Sequence, residues 1–526
     1  MKLNLSFTAK LFAIACLITN AGKAQVTFQK TYGTPSGEYF YDMQKTYDGG
    51  YILGGTSTGI LGPRNSSYIV KTDANGDTLW TVGVVDTCSS TSPTNGQYVN
   101  DIIQTFDHGY LSCGGKTAVC EAIAGGGNIV KMDSTGKVVW AKYCTAGEDP
   151  YPCIQDKAGN YIVGGYLTGL GAGAEDGCLM KLNKNGDTIW SRTYGGAANE
   201  WFYRILQTKD GGYLASGFTS TFGAGANDIY IVKTDSNSNV KWSKTYGTAR
   251  NEIEFGHGLE QTKDGGYIIT GSEGSGGTGA KGVILMKIDS VGNLKWSNVY
   301  DGTFGHAVKQ TPDGGYAVVG SVTGTGVFLL KTDSVGKAQW AKVYGSGSGG
   351  YQGFFLQLTN DGGYALGGQE VYTTNFKDAF FIKTDANGVS GCSYSVYAST
   401  DSAIAYTVTS PTTLVGIGPN TISYPTRVGH GGAVNNICSS VSVPEVTAMK
   451  ENVSIYPNPV QYSATIVFDG SGTRSIEVYD ITGRKINGFE SKYETYSMPC
   501  NGLQPGVYFV KVKSDVGTHT VKFIKE

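Results

Sequence analysis

Asp210-Gly211-Gly212-Tyr213 is one of five verbatim copies of a four-residue turn signal; the others begin at Asp48, Asp264, Asp313 and Asp361. Degenerate copies read Asp107-His108-Gly109-Tyr110 and Ala158-Gly159-Asn160-Tyr161. The tyrosines Tyr51, Tyr110, Tyr161, Tyr213, Tyr267, Tyr316 and Tyr364 stand 48 to 59 residues apart, which defines seven repeats. Around the fourth copy, Phe202–Thr208 leads into the turn, Tyr213–Thr219 returns, Ile229–Thr234 follows a Gly-rich loop, and Asp235–Asn239 turns into Val240–Tyr246. Tight turns between alternating apolar runs predict an antiparallel four-stranded meander. Such a sheet has two apolar faces and cannot bury both alone, so it must stack on its neighbours. About 50 residues in four strands is the blade size of a propeller.

Working outward, the fourth strand of a repeat carries an aromatic-x-basic-x-Tyr-Gly pattern. It reads Trp190-Ser191-Arg192-Thr193-Tyr194-Gly195, Trp242-Ser243-Lys244-Thr245-Tyr246-Gly247 and Trp340-Ala341-Lys342-Val343-Tyr344-Gly345. The seventh repeat lacks it and runs through Asp385–Val389 to Cys392. The missing strand stands near the front of the chain as Phe28-Gln29-Lys30-Thr31-Tyr32-Gly33. A front strand completing the last repeat would remove the free edges of an open array. The expected fold is therefore all-β, a seven-bladed propeller over 25–392 closed by an N-terminal strand.

Composition agrees with turn-rich β-structure: 16% charged residues, 78 Gly, and 34 Tyr against 7 Trp. Net charge is −2, and removing the three lysines of 1–24 leaves about −5, so nothing favours nucleic acid as a partner. Lys2 and Lys10 precede the apolar run Leu11–Ile18, with small residues at Gly22 and Ala24, which reads as a signal peptide over 1–24. A rival reading makes Ala13-Ile14-Ala15-Cys16 a lipoprotein box. Nine cysteines follow Ala24, and an exported chain meets an oxidising compartment. Cys392–Cys438 and Cys144–Cys153 are the expected disulfides. No CxxC pair suggests zinc, and no metal or cofactor is expected.

Residues 393–445 are rich in Thr, Ser, Gly and Val and read as a small β-rich linker module. From 446 the pattern changes to a compact β-domain. Its signposts are Tyr456-Pro457-Asn458-Pro459-Val460, Tyr479-Asp480-Ile481-Thr482-Gly483-Arg484, Leu503-Gln504-Pro505-Gly506-Val507 and the terminal Lys522-Phe523-Ile524-Lys525. These motifs, in this order, resemble the type A C-terminal sorting domain of the type IX (Por) secretion system. The resemblance implies a small β-sandwich over 446–526, recognised by the outer-membrane translocon through Pro457, Asn458, Pro459, Gly483, Pro505 and Gly506. It further implies cleavage of the tail, then release or attachment to surface lipopolysaccharide. The repeats are also similar to DGGY-type propeller repeats, a likeness that carries a fold and no activity.

Other motifs reduce to architecture. Asp73–Asp77 begins like a calcium loop, but the twelfth position, where such a loop needs a bidentate Glu, is Val84. Gly55-Thr56-Ser57-Thr58-Gly59 matches a nucleophile elbow in letters only, because no helix follows. Gly115-Lys116-Thr117 lacks the glycine a P-loop needs. His108, His257, His306, His430 and His519 are scattered, and surface or turn roles are expected. Lys71, Lys131, Lys181, Lys233, Lys287, Lys331 and Lys383 recur at one place in the third strand; each ammonium should reach carbonyls or the Asp two residues on.

The short uniform turns share one rim, so the long dissimilar loops share the other, where binding usually evolves. Glu38-Tyr39, Glu200-Trp201 and Glu252 sit there at corresponding places and are the ligand-binding candidates, against a simpler role in satisfying strand-end amides. No catalytic residue emerges. The expected function is a secreted or cell-surface recognition protein for a glycan, peptide or protein, without enzyme activity. A propeller-type extracellular glycan lyase or hydrolase, or a purely structural surface protein, are the alternatives.

Overall fold

The computed structural model describes residues 25–526 except 35, 62–64, 87–95, 116–125, 145–149, 255, 275–281, 323, 346–349, 372–376, 393, 397–400, 418–420, 424–425, 430–432, 443–452, 469–472, 482 and 515–516. The expected signal peptide and the lipoprotein alternative at Cys16 lie outside the described residues. The chain divides into two compact units, Met1–Val441 and Ser442–Glu526, and both are all-β among the described residues.

In the first unit each repeat forms its own antiparallel sheet. The first strands of sheets one to seven are Glu38–Lys45, Asp101–Gln104, Pro150–Gln155, Glu200–Gln207, the pair Glu252–Ile253 and Leu259–Gln261, Phe304–Gln310, and Gly350–Leu358. The fourth sheet shows the plan: Glu200–Gln207, Tyr213–Thr219, Asp228–Thr234 and Val240–Gly247 pair in sequence order. The repeat tyrosine opens each second strand, and in every repeat but the third, which has Asn160, the glycine before it leaves no space for a Cβ. At Gly212 that atom would lie 2.1 Å from the Thr234 carbonyl oxygen.

All seven recurring lysines pair with acids of the turns: Lys71–Asp48, Lys131–Asp107, Lys181–Asp156, Lys233–Asp210, Lys287–Asp264, Lys331–Asp313 and Lys383–Asp361. The acid therefore comes from the Asp-Gly-Gly-Tyr turn, or from Asp156 in the third repeat, and not from the Asp two residues on. The expected carbonyl is also present, as in Lys233 Nζ to Thr234 O at 2.8 Å. A buried ammonium thus finds both charge and hydrogen-bond partners at the end of its own hairpin.

Sheet seven contains three strands of its own repeat plus Gln25–Gly33, which pairs with Lys377–Thr384 in the register Phe28↔Lys383 to Tyr32↔Ala379. Apolar clusters fill the spaces between consecutive sheets. Leu214, Ile231 and Tyr246 of sheet four pack with Tyr267, Ile269 and Met286 of sheet five. Phe28, Phe355 and Phe381 of sheet seven pack with Phe40, Leu53 and Val70 of sheet one in the same manner. Each first strand adjoins that of the next sheet, and Gly350–Leu358 adjoins Glu38–Lys45, so the succession returns to its start.

Residues 393–445 do not form the separate linker module expected. Their short strands add a fifth member to every sheet, taking the sheets in reverse. Tyr394–Val396 pairs in sheet six, Asp401–Ala403 in five, Thr407–Thr409 in four and Leu414–Ile417 in three. Thr421–Ser423 follows in sheet two, Thr426–Gly429 in one, and Ala433–Ser442 joins sheet seven alongside Gln25–Gly33. The physical reason is the free edge of each fourth strand, which offers unpaired amides and carbonyls to any extended segment within reach.

The second unit has a three-stranded sheet (Val453–Tyr456, Ser463–Phe468, Thr495–Pro499) and a four-stranded one (Lys485–Ser491, Arg474–Asp480, Gly506–Ser514, Gly517–Lys525). They share one core, with Ile466 and Phe468 from the first and Val478, Val510 and Phe523 from the second. Cys500 is buried in it as a free thiol.

Candidate functional site

The first strands bring together charges that lie far apart in the sequence. Asp42 Oδ2 accepts the Ile102 amide at 3.0 Å, and Asp101 Oδ2 accepts the Cys153 amide at 2.9 Å, so each carboxylate ties its sheet to the next. Arg204 Nη1 lies 3.3 Å from Asp101 Oδ2 and 2.9 Å from His257 Nδ1. His257 Nε2 lies 3.2 Å from Asp42 Oδ1. One network thus joins sheets one, two, three, four and five. Glu254, fully buried, accepts from Ser216 Oγ at 3.2 Å and from the Gly258 amide at 3.1 Å.

Burial governs the titration of these groups. It pushes the Glu254 carboxyl up to about 8. It drives His257 down to about 3, with the Arg204 charge adding to the effect, and His306 down to about 4. Burial and then the Asp42 charge hold Asp101 well above the ordinary carboxylate range. A guanidinium can only donate, so His257 Nδ1 must accept, and its proton sits on Nε2 facing Asp42.

Asp42, Asp101 and His257 have the atom types of a metal site, their ligand atoms lying within 4.8 Å of one another. The donor set does not suit a cation. Arg204 already supplies the positive charge there, and the tautomer it imposes puts a proton on the nitrogen facing the carboxylates. The cluster is a buried polar network that links consecutive sheets.

One repeat position beside this network carries a ring in six of the seven sheets. Ten residues before the repeat tyrosine are Tyr41, Asn100, Tyr151, Tyr203, His257, His306 and Phe354. The ladder shifts register beside them, as between Phe40 and Asp42 or Phe202 and Arg204, and a bulge of this kind re-aims a side chain. Tyr41 and Phe354 lie 5.6 Å apart, His306 and Phe354 5.1 Å, and Tyr151 and Tyr203 4.8 Å.

The ligand-binding candidates fare unequally. Glu38, Glu200 and Glu252 are fully buried. Glu38 Oε1 accepts from Ser57 Oγ at 2.8 Å, Glu200 from the Gly196 amide and Thr219 Oγ1, both at 2.7 Å, and Glu252 from the Thr248 amide at 3.1 Å. These acids fasten strand ends to the preceding connection and are closed to solvent. Trp201 is half-buried, stacked on Tyr166 at 4.1 Å with its indole nitrogen 2.6 Å from Glu175 Oε2. Tyr39 is half-buried and stacks against Tyr41 at 6.3 Å.

The histidine expectation is corrected as well. His108 occupies a turn at φ 62°, as expected, but His257 and His306 belong to the central network and the ring of aromatics. His430 and the side chain of His519 lie outside the described residues. Cys144 and Cys153 are buried free thiols, so that disulfide is absent. Cys392 is disulfide-bonded, while the side chain of Cys438 lies outside the described residues. The missed signal was columnar. Asp42, Asp101 and Arg204 all stand nine residues before their repeat tyrosine, where the other repeats have Pro152, Gly258, Ala307 and Phe355.

In the tail, Asn458 Oδ1 accepts the Ile524 amide at 2.9 Å and its Nδ2 donates to Lys522 O at 3.2 Å, stapling the Tyr-Pro-Asn-Pro segment to the last strand. Gly483 turns at φ 83°.

Residues 454–526 match the family model described as a secretion system C-terminal sorting domain. Such a tail implies interaction with the type IX secretion machinery and export to the cell surface or beyond. No curated protein matches the chain. Among solved structures, the chain is similar to PorZ of Porphyromonas gingivalis, described as an essential bacterial surface component of the type IX secretion system. That likeness has 12% identity and a TM-score of 0.38, over 93% of this chain and 59% of the other.

Proposed function

We propose that the seven sheets are blades of a propeller closed by Gln25–Gly33, and that the exported body is a recognition module without enzyme activity. The ligand, a glycan or an extended peptide, enters the lumen from the rim of dissimilar loops. It meets Tyr39, Tyr41, Tyr151 and Phe354 before the charged network. The observation carrying this reading is the column of rings at one repeat position in six of the seven sheets, all but Tyr203 half-buried where a purely structural column would be buried. Aromatic faces suit the apolar faces of sugars and the side chains of peptides. Absence of catalysis is supported by the occupation of Asp42, Asp101, Arg204 and His257 with one another and with backbone amides. Release, or attachment to surface lipopolysaccharide after tail cleavage, completes the proposal.

A glycan and peptide array with the mature body tests it. Binding that falls at least tenfold in Tyr41→Ala and Phe354→Ala supports the lumen, and binding unaffected by either refutes it. Glu254 favours the second reading, a lyase or hydrolase, because a carboxyl holding its proton to about 8 is suited to general-acid work. Turnover of an array hit, abolished in Glu254→Gln, would replace recognition with that reading. An array silent throughout would leave the structural role.

A further inference from the structure

We infer that residues 392–438 form a disulfide-closed hoop around the outside of the seven sheets, a lock on the strand that closes the ring. The inference rests on the circular reading above. Three observations point to it.

The first is the path. Strands from Tyr394–Val396 to Thr426–Gly429 pair successively with the outer edges of sheets six, five, four, three, two and one, and Ala433–Ser442 ends in sheet seven. Six of these contacts are only three or four residues long. Ladders that short are weak singly, and an open belt would fray from its ends.

The second is where the belt begins and ends. Ser390 Oγ, two residues before Cys392, accepts from Gln29 Nε2 at 2.9 Å, which places the start of the belt beside the N-terminal strand. Ala433–Ser442, which contains Cys438, pairs with that same strand on its outer side. Both ends of the belt therefore meet at Gln25–Gly33.

The third is the thiol inventory. Cys392 is in a disulfide, and Cys113, Cys144, Cys153, Cys178 and Cys500 are free. Outside the leader, Cys88, Cys120 and Cys438 remain. Cys392 follows the Asp385–Val389 turn and stands two residues from Ser390, which is hydrogen-bonded to Gln29 of the N-terminal strand. Cys438 lies on the strand that pairs with that same N-terminal strand. A disulfide bridges Cα atoms no more than about 7 Å apart, so we assign Cys438 as the partner.

The bond forms by oxidation of two thiols to one disulfide, the two electrons and two protons passing to the thiol-oxidising system of the compartment outside the cytoplasm. Once it forms, sheets one and seven cannot separate without either stretching a closed loop or unpairing every belt strand. Closure of a long loop also restricts the unfolded chain.

Non-reducing digestion of the secreted wild-type protein, with mass mapping of linked peptides, tests the pairing. A peptide pair containing Cys392 and Cys438 is expected; Cys392 joined to Cys88 or Cys120 overturns the hoop alone. Melting and amide exchange with and without reductant test the lock. Reduction should lower the wild-type melting temperature by several degrees and speed exchange in Gln25–Gly33 at least tenfold. Cys392→Ser with Cys438→Ser should start at the reduced values and ignore reductant. Reduction that changes neither quantity overturns the lock. If Gln25–Gly33 exchanges freely in the oxidised protein, the circular reading itself fails.

Discussion

Two junctions of the body can be laid side by side. Between sheets four and five, Trp242 covers Gly292, Lys244 Nζ reaches Asn293 Oδ1 at 2.9 Å, and the Tyr246 hydroxyl donates to Gly292 O at 2.5 Å. Between sheets seven and one, Phe28 covers Gly76, Lys30 Nζ reaches Asp77 Oδ1 at 2.6 Å, and the Tyr32 hydroxyl donates to Gly76 O at 2.6 Å. Both glycines have positive φ, 80° and 74°, and a Cβ on either would press on the covering ring. The contacts are the same, but their covalent setting differs. The first junction joins consecutive repeats, whereas in the second the covering strand, close in sequence to the first repeat, is itself held by pairing with Lys377–Thr384 of the seventh. Loop closure makes the second slow to complete, and sheets seven and one depend on it for burial of their facing sides.

Deleting Val26–Gly33 should break this comparison most severely. It exposes the Lys377–Thr384 edge and the faces of sheets seven and one, so soluble expression and the single cooperative melting transition should both be lost. A deletion protein that melts like the wild type would contradict the equivalence. Next comes Phe28→Ala. Phe28 is fully buried against Phe381, ring centroids 5.0 Å apart, whereas Trp242 is half-buried. Denaturant unfolding should show a loss of roughly 3–5 kcal/mol for Phe28→Ala and less for Trp242→Ala.

Third, Glu254→Gln sharpens the role of the central network. A carboxyl raised from 4.5 to about 8 binds its proton more tightly folded than unfolded. Wild-type stability is thus lost as pH rises through that window, by at most about 1.4 kcal/mol per unit. The amide removes this dependence and leaves that of His257, which acts below pH 6.5, unchanged. The stability of Glu254→Gln relative to wild type should therefore increase steadily from pH 5 to pH 8, and a flat difference would refute the assignment. Smallest is Lys45→Ala. Lys45 stands where the second to sixth repeats have Gln and reaches Asn360 Oδ1 of sheet seven at 2.5 Å, at an exposed site, so the loss should stay within about 0.5 kcal/mol.

Even that last contact was legible in part. Gln104, Gln155, Gln207 and Gln310 each accept an amide from the turn of the preceding repeat. Pro312 has no amide to donate, and the partner position in the next repeat is Leu358. Periodic residues of this kind, together with the Trp/Phe-x-basic-x-Tyr-Gly strand, carry their meaning locally, and the seven sheets followed from them. The belt did not, because Asp401–Ala403 or Thr407–Thr409 are short exposed strands whose pairing is decided by edges more than a hundred residues away. The central network was hidden for a related reason: Asp42, Asp101, Arg204 and His257 look unrelated until the repeats are aligned on their tyrosines. The glutamates were ambiguous in the sequence because a carboxylate beside an aromatic reads alike whether it binds a ligand or caps a strand end.

Amide exchange of the intact mature protein, followed by mass spectrometry over Gln25–Gly33 and Val240–Gly247, tests the equivalence of the two junctions without any mutation. The account predicts protection of the same order in both strands, lost together on unfolding. Coil-like exchange within seconds at Gln25–Gly33, beside a protected Val240–Gly247, would contradict it.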